Sequence, residues 1–357
     1  MKHFYKYNFF LLASLSLILC GCNDKHSSAW TIPDKKINLL MREYNVQGVA
    51  IVIIQDGKVS SVKSYGVNKS AVFEAASLGK PIFAYGVLKL VEKGQLDLDI
   101  PLSHYLQNED AANDPRLASI TTRMILSHTS GLPNWRSNTK KLKIYFQPGR
   151  RFSYSGEGYF YLQKVIEKIT KQSLEQYMQE NVFVPLGMTH SSYIWQNAYH
   201  GTISFGHTLN GTSLKLSKMY TPNVAFTLYA TALDYSKFIQ AIMNHKGLRE
   251  KTIHEMLSAQ IKVSDSGPIC IDKCSNQLSS TISWGLGFGL QKTQQGSAFW
   301  HWGDNPGFKN FFIGFQNGNA IVIFTNSDNG MKIIPEIIHQ ITGYNQPVFN
   351  WLNYTSK

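Results

Sequence analysis

Apolar residues with helical spacing follow Ser77. They recur every three residues along one face of the predicted helix: Ile82, Tyr85, Leu88 and Val91. Pro81 is typical of a first helical turn, and Lys93-Gly94 is a basic residue followed by glycine, as at many helix ends. The pattern therefore predicts a helix from just after Ser77 to about residue 93.

Strand patterns occur near both ends of the chain. Residues 48–54 and 58–65 flank the hairpin dipeptide Asp56-Gly57. The C-terminal part has three such segments: 284–290, 311–315 and 320–325, the last two flanking Asn317-Gly318. Residues 100–225 favour helices and loops, and 331–341 favour a last helix. Because both ends supply strands, we expect a two-lobed α/β (α+β) fold, with an antiparallel sheet flanked by helices and an all-helical lobe inserted at about 78–225.

The composition is that of a globular protein. Of the 357 residues, 43% are hydrophobic and 16% are charged, which leaves ample apolar material for a large core. The formal net charge of +12 would suit a nucleic acid or an anionic membrane. The densest basic cluster, over 140–143, is short and fits a solvated surface better, so no nucleic-acid partner is predicted.

The N-terminus has the pattern of a secretory signal. Lys2 and Lys6 precede an apolar stretch over 9–19 that is too short to span a bilayer. The stretch ends in Leu-Cys-Gly-Cys, which resembles a bacterial lipobox. We therefore predict a signal peptide over 1–21 and lipidation of Cys22. Ordinary cleavage nearby and an uncleaved anchor are the alternatives.

A lipidated Cys22 places the protein in the bacterial cell envelope, anchored to a membrane. Asn23, where an Asp would favour the inner membrane, points to the periplasmic side of the outer membrane; a Gram-positive source is the alternative. After a tether over 22–32, one domain is predicted over 33–345, followed by a C-terminal tail over 346–357.

Cys270 and Cys274 are predicted to form a disulfide. Outside the cytoplasm, such a closely spaced pair can close a local loop. Metal binding is the less favoured alternative, because no second Cys or His pair lies nearby in the sequence.

Ser77 and Lys80 form the pattern Ser-x-x-Lys at the start of the predicted helix. Residues three apart share one helix face, so these side chains can meet. A serine hydroxyl becomes a nucleophile when a base takes its proton, and a lysine can be that base if burial lowers its pKa. The N–H groups of a helix start also stabilise a developing oxyanion. Taken alone, the pattern would more often mark an ordinary surface helix.

Three further segments combine polar side chains with turn residues. They are 126–132, which contains His128; 152–159, which contains Tyr154; and 301–308, which begins with His301. Singly, such a tyrosine or histidine is most often structural, and His128 is predicted to hold its loop rather than to react. Only their joint occurrence with Ser-x-x-Lys makes catalysis the better interpretation.

The order of these motifs resembles that in the serine β-lactamase and penicillin-binding protein superfamily, in the branch of class C β-lactamases, D,D-carboxypeptidases and esterases. Ser77-x-x-Lys80 is similar to the first motif of that superfamily. Tyr154-Ser155-Gly156 resembles its Tyr-x-Asn motif, and His301-Trp302-Gly303 resembles Lys-Thr-Gly, which is His-x-Gly in many relatives. The resemblance extends over about residues 33–342.

This resemblance implies a role for each matching residue. Ser77 would be the acylated nucleophile, and Lys80 and Tyr154 would share the base and acid work. His301, if protonated, would be a second cation that lowers the pKa of Tyr154. The backbone N–H groups of Ser77 and Asp304 would form the oxyanion hole. Neither a metal nor an organic cofactor is implied.

Four departures from the family pattern concern the substrate cleft. Gly156 replaces an Asn that, in β-lactamases, hydrogen-bonds the amide side chain of the substrate. His301 replaces a Lys, which weakens the hold on a substrate carboxylate at neutral pH. Trp302, next to Gly303, should narrow the cleft, and Asp304 adds a negative charge there.

The sequence thus predicts a serine hydrolase that forms an acyl-enzyme at Ser77. Its expected substrate is an ester, a D-amino-acid peptide or a β-lactam, with peptidoglycan as one candidate source, and efficient β-lactamase activity is less favoured. The alternatives are a class C β-lactamase proper and a non-hydrolytic lipoprotein that binds penicillin or senses peptidoglycan.

Overall fold

The computed structural model describes residues 1–3, 30–107, 114–136, 142–272 and 274–354. Cys22, nearly all of the predicted signal peptide and most of the tether lie outside the described residues. None of the helices in the described part is both long and apolar enough to cross a membrane.

The described residues form ten α-helices and ten β-strands. The helices are α1 (Asp34–Glu43), α2 (Gly79–Glu92), α3 (Thr122–Leu126), α4 (Gly156–Thr170), α5 (Leu174–Met178), α6 (Val184–Leu186), α7 (Ala232–Met243), α8 (Glu250–Met256), α9 (Gly330–Thr342) and α10 (Pro347–Trp351). The strands are β1 (Val49–Gln55), β2 (Lys58–Tyr65), β3 (Phe73–Ala76), β4 (Leu228–Ala230), β5 (Ile261–Ser264), β6 (Leu278–Trp284), β7 (Gly289–Thr293), β8 (Gly296–Asn305), β9 (Phe308–Phe315) and β10 (Ala320–Thr325).

Eight strands form one antiparallel sheet in the order β2-β1-β10-β9-β8-β7-β6-β5. The two ends of the chain meet in this sheet, because β1 pairs with β10 and places Val52 opposite Val322. This confirms the predicted sheet. The other two strands, β3 and β4, pair with each other and enclose α2 to α6 in sequence, so the predicted helical insertion is present.

Two apolar cores cover the two faces of the sheet. Alternate residues of β1 enter different cores: Val52 joins the core shared with α2, α4 and α7, and Ile51 joins the core shared with α1, α9 and α10. Since both faces are buried, every residue of β1 up to Ile54 is apolar.

The prediction of one continuous strand over 284–290 is wrong, because a turn divides this segment. β6 ends at Trp284, and β7 begins only at Gly289. Between them, Gly287 has a φ of +91°, a conformation that favours glycine, and its N–H donates to the Leu126 carbonyl at 2.9 Å. The glycines therefore mark a turn between two strands.

The predicted C-terminal tail belongs to the domain. Helix α10 buries its apolar side chains in the second core, and the Trp351 indole N–H donates to the Ser264 carbonyl at 2.7 Å. Beyond the helix, the Tyr354 hydroxyl donates to the Asp304 carboxylate at 3.1 Å. The boundary predicted at residue 345 is corrected to at least 354, because core packing continues past α9.

Candidate active site

Ser77 lies in the tight turn between β3 and α2, directly before the helix. Its predecessor Ala76 has a φ of +54°, which is uncommon for a residue with a side chain. The turn is closed by the Lys80 N–H, which donates to the Ser77 carbonyl at 3.0 Å. Backbone strain of this kind is often found where a reactive side chain must be held in one position.

Lys80 is completely buried beside the serine. Its Nζ lies 2.9 Å from Ser77 Oγ and 2.7 Å from the carbonyl oxygen of Ala225. Ser77 Oγ also lies 3.1 Å from that carbonyl. Burial holds the pKa of Lys80 well below its ordinary value, because an ammonium loses its hydration there. The lowered pKa favours the neutral amine, which is the form that a general base requires.

Tyr154 lies on the loop that leads into α4 and faces the lysine. Lys80 Nζ is 4.9 Å from the centre of the phenol ring. Burial raises the pKa of the Tyr154 hydroxyl above its ordinary value, the nearby Ser77 hydroxyl lowers it to a lesser extent, and the charge of Asp304 raises it again. No described residue forms a well-aligned hydrogen bond with this hydroxyl. The raised pKa favours the neutral phenol, which can donate a proton.

His301 is fully buried on β8 and is neutral. Its Nδ1 lies 2.7 Å from the Trp302 carbonyl, which can only accept, so Nδ1 carries the proton and Nε2 carries the lone pair. Burial, together with the charge of Lys80, lowers the pKa of His301 to about 3. His301 therefore does not supply the second cation that the resemblance made conditional on its protonation, since no described carboxylate compensates for its burial.

The end of β8 forms one wall of the site. β7 pairs with β8 only as far as Trp300, so the segment from His301 to Asn305 extends past the end of β7. A Cβ on Gly303 would overlap the carbonyl oxygen of Ala75, two residues before Ser77. The close approach of the two backbones therefore requires glycine at position 303 and brings β8 against the Ser77 turn.

The carboxylate of Asp304 is paired. Asp304 Oδ1 lies 2.8 Å from Lys309 Nζ, and Oδ2 accepts from Tyr354 at 3.1 Å. The Lys309 ammonium also contacts Asp328 at 2.8 Å. The negative charge expected to repel a substrate carboxylate is thus compensated only in part, because Asp304 shares the Lys309 ammonium with Asp328. The Asp304 backbone N–H lies at the end of β8.

Trp302 packs beneath the site and does not fill it. Its side chain is 7% exposed and belongs to the second core. The centre of its ring lies 4.7 Å from that of Tyr154. The expected narrowing of the cleft therefore does not come from Trp302 directly; its indole packs against the ring of Tyr154.

His128 holds the Tyr154 loop, as its structural interpretation expects. Its Nδ1 accepts the Ser155 N–H at 3.0 Å, and its ring centre is 4.3 Å from that of Tyr154. Nε2 therefore carries the proton, and this buried N–H has no hydrogen-bond partner among the described residues.

The segment that leads into a disulfide supports the Tyr154 loop. The structure joins Cys270 and Cys274 as a disulfide, with their Cα atoms 5.1 Å apart. The Cys270 N–H donates to Ser153 Oγ at 3.1 Å, and the Tyr154 N–H donates to the Pro268 carbonyl at 2.8 Å. The backbone from Pro268 to Cys270 is therefore part of the support of the site.

Two contributors to the site were not predicted. The Ala225 carbonyl binds both Ser77 and Lys80, and a backbone oxygen carries no signal in a sequence pattern. Asn134 accepts the Gly156 N–H at 3.1 Å through its carbonyl and at 3.0 Å through its side chain. Asn134 follows the His128 segment closely and precedes a tryptophan, and this position in the sequence could have marked it as a site residue.

No group of three or more His, Cys, Asp or Glu side chains suited to a metal ion occurs in the part of the chain that the structure describes. The residues assembled around Ser77 are instead a hydroxyl, an amine, a phenol and a neutral imidazole, which together suit acyl transfer.

A serine at a strained helix start, beside a buried lysine and against the end of a sheet strand, defines the architecture of a serine hydrolase. The chain belongs to the beta-lactamase family: the family model described as Beta-lactamase matches residues 33–341.

Curated relatives and solved structures agree with this assignment. The chain is 25% identical over 327 residues to the "Putative penicillin-binding protein PbpX" of Bacillus subtilis (strain 168), covering 84% of this chain and 75% of that protein. It is 24% identical to "Protein flp" of Staphylococcus aureus (strain N315), covering 90% and 67%.

Among solved structures, the fold is similar to the octameric penicillin-binding protein homologue from Pyrococcus abyssi, with a TM-score of 0.73 and 22% identity over 87% of this chain and 77% of that one. It is also similar to the D-alanine carboxypeptidase AmpC from Burkholderia cenocepacia, with a TM-score of 0.71 and 18% identity over 87% and 97%. A D-stereospecific amidohydrolase from Streptomyces sp. is similar with a TM-score of 0.70 and 19% identity, and the match covers 85% of this chain and 96% of that one. At these identities, the structural likenesses show the fold alone.

Proposed function

We propose that this protein hydrolyses esters or D-amino-acid amides through an acyl-enzyme at Ser77, as a lipid-anchored enzyme of the bacterial cell envelope. One observation carries the catalytic proposal: Lys80 is fully buried, with Nζ 2.9 Å from Ser77 Oγ. A buried amine of lowered pKa beside a serine hydroxyl is the arrangement that activates a nucleophile. The lipobox-like sequence ending at Cys22 supports the location.

Acylation begins with proton transfer from Ser77 to Lys80. As the Oγ–H proton passes to the neutral amine, Oγ bonds to the carbonyl carbon of the substrate. The N–H groups of Ser77 and Asp304 stabilise the resulting oxyanion. Collapse of this intermediate breaks the bond to the leaving group, which takes a proton from the Tyr154 hydroxyl.

Tyr154 then regains a proton from the Lys80 ammonium, and this restores both groups. His301 neighbours this phenol, with the two ring centres 5.8 Å apart, but its Nε2 and the Tyr154 hydroxyl form no hydrogen bond with each other in the structure. In deacylation, water takes the place of the Ser77 hydroxyl. The water gives a proton to the Lys80 amine as its oxygen attacks the acyl carbon. Ser77 Oγ then leaves and takes a proton from the Tyr154 hydroxyl.

The neutral state of His301 bears on the substrate. A penicillin carries a carboxylate, which the Lys of a Lys-Thr-Gly motif can pair with as a cation. His301 has a pKa of about 3 and so offers no positive charge at neutral pH. This favours esters and amides that carry no carboxylate at that position over β-lactams. The relatives named above, a carboxypeptidase and a D-stereospecific amidohydrolase, make D-amino-acid amides reasonable substrates to test.

The proposal is tested by steady-state hydrolysis with the full-length protein in detergent. The substrates are a 4-nitrophenyl ester, a D-alanyl anilide and a penicillin, and Ser77→Ala is the control. We expect turnover of the ester or the amide, little turnover of the penicillin, and a loss in Ser77→Ala of at least about 10³-fold. Fast penicillin hydrolysis would instead support a β-lactamase, and activity that survives Ser77→Ala would refute the proposal.

A further inference from the structure

An aromatic pair lies beside the nucleophile. The rings of Trp135 and Phe226 meet edge to face, with their centres 5.6 Å apart. Phe226 directly follows Ala225, whose carbonyl binds both Lys80 and Ser77. Trp135 is 49% exposed, so its ring is open to an incoming molecule while one edge contacts Phe226.

The Trp135 ring occupies the space of a missing side chain. A Cβ at Gly156 would lie 3.1 Å from two carbons of the indole ring and 2.8 Å from the Asn134 carbonyl oxygen. An asparagine at position 156 therefore cannot be accommodated without moving Trp135 or the backbone. Where the family motif offers an amide that hydrogen-bonds the substrate, this chain offers the face of an aromatic ring.

Contacts on both sides fix the position of Trp135. On one side, the Asn134 carbonyl accepts the N–H groups of Gly156 and Glu157, each at 3.1 Å. On the other side, the Arg136 guanidinium contacts the Glu157 carboxylate at 2.8 Å, and the Arg136 N–H donates to the same carboxylate at 3.1 Å. Both neighbours are thus bound to the first turn of α4, so the ring is preorganised.

Phe226 also lines a cavity of about 540 Å³. Most of its wall is apolar and includes Leu216, Met219 and Phe308. Two of its polar residues pair with each other, since the Asn305 side chain donates to the Glu74 carboxylate at 2.9 Å, whereas the Ser204 hydroxyl has no hydrogen-bond partner among the described residues. The volume lies in the range of small-molecule sites and accommodates a phenyl ring or a short alkyl chain.

We infer that Trp135 and Phe226 bind the acyl group of the substrate and select an aromatic or other apolar acyl group. This inference rests on the proposed function, because it takes the acyl group to be attached at Ser77. Gly156 contributes by leaving room for the indole. The selected substrates are arylacetyl or medium-chain acyl esters and amides, in preference to acetyl compounds.

The first test compares 4-nitrophenyl phenylacetate with 4-nitrophenyl acetate, which share a leaving group. We expect the wild-type enzyme to prefer the phenylacetyl ester in kcat/KM by about tenfold, since an aromatic contact of this kind contributes that much. Trp135→Ala should reduce the preference to less than about threefold, because kcat/KM should fall more for the phenylacetyl ester than for the acetyl ester. Trp135→Phe should retain most of the preference, and Tyr344→Ala, at a similarly exposed aromatic residue, should retain all of it.

The second test measures binding without catalysis. Calorimetry of phenylacetamide and acetamide with Ser77→Ala, with and without Trp135→Ala, reports the subsite alone. Trp135-dependent binding of phenylacetamide without any turnover by the wild type would uphold the subsite and refute the proposed function. Turnover with no acyl preference, or a preference that Trp135→Ala leaves intact, would overturn the inference while the proposed function stands.

Discussion

Lys80→Met separates the catalytic role of the lysine from its structural cost. Methionine has a similar length but no proton-accepting nitrogen. Removing a general base reduces rates by about 10²–10⁴-fold, and here the base also positions the nucleophile through the 2.9 Å contact of Nζ with Ser77 Oγ. We therefore expect kcat/KM to fall by about 10³-fold or more, toward the level of Ser77→Ala.

The effect on stability at neutral pH is the sum of two opposing contributions. The substitution loses hydrogen bonds to Ser77 Oγ and to the Ala225 carbonyl, each contributing about 1 kcal/mol. It also removes a fully buried amine whose hydrogen-bond partners are uncharged, which relieves a desolvation cost. Because each unit by which burial lowers the pKa of Lys80 costs about 1.4 kcal/mol, we expect the relieved cost to outweigh the lost hydrogen bonds and Lys80→Met to be at least as stable as the wild type at neutral pH.

The pH dependence gives the sign of the desolvation effect. Burial lowers the pKa of Lys80 in the folded state, so the unfolded chain binds more protons between that pKa and the ordinary value of 10.5. The stability of the wild type should therefore rise with pH through this window, and the penalty should be fully present below it. Lys80→Met lacks the penalty, so its stability relative to the wild type should increase as the pH falls from about 10.5.

The assay is urea unfolding at a series of pH values, alongside ester hydrolysis. Lys93→Met, at the exposed end of the same helix, is the matched control and should behave as the wild type in both. Two results would refute the reasoning: a kcat/KM within tenfold of the wild type, or a stability difference between Lys80→Met and the wild type that does not depend on pH.

Two further predictions concern β8. Gly303→Ala should lower kcat/KM by about 10²-fold, because the new methyl group displaces the Ser77 turn through Ala75. Ser297→Ala, at the other end of the strand, should leave kcat/KM unchanged. Equal activity of the two variants would contradict the close approach of β8 to the Ser77 turn. His301→Gln should reduce the loss of stability in acid: burial lowers the pKa of His301 to about 3, so the unfolded state binds the extra proton between that pH and 6.5. The free energy of unfolding should be measured from pH 7 downward, and that of the wild type should fall by up to about 1.4 kcal/mol per pH unit more than that of the variant. If the free energies of the two proteins fall in parallel with pH, His301 is not buried as a neutral group.

Much of the fold could be predicted because local patterns and long-range packing agree. The spacing of apolar residues after Ser77 and the glycine at position 94 predict α2, which ends at Glu92. The hairpin dipeptides predict β1 with β2 and β9 with β10, and these strands pair as expected. The turn at Gly287 was missed because alternating glycines fit a strand and a turn equally well in sequence.

The residues of the candidate site could be named from sequence, but not their charge states. Motif order selects Lys80, Tyr154 and His301, yet their pKa values depend on burial, which several distant segments create together. The structure buries all three, and the resulting desolvation keeps His301 neutral, so this histidine does not supply a cation that would lower the pKa of Tyr154. The position of Trp135 could not be predicted for the same reason, since it depends on the packing of its loop on α4.

The proposed mechanism requires that Ser77 is the acylated residue. The decisive measurement is mass spectrometry of the full-length protein after brief exposure to an activated phenylacetyl ester, followed by peptide mapping, with Ser77→Ala treated in parallel. If Ser77 is acylated, the wild type carries one acyl adduct, on the peptide that contains Ser77, and the variant carries none. An adduct on another residue, or an equal adduct in Ser77→Ala, would contradict it.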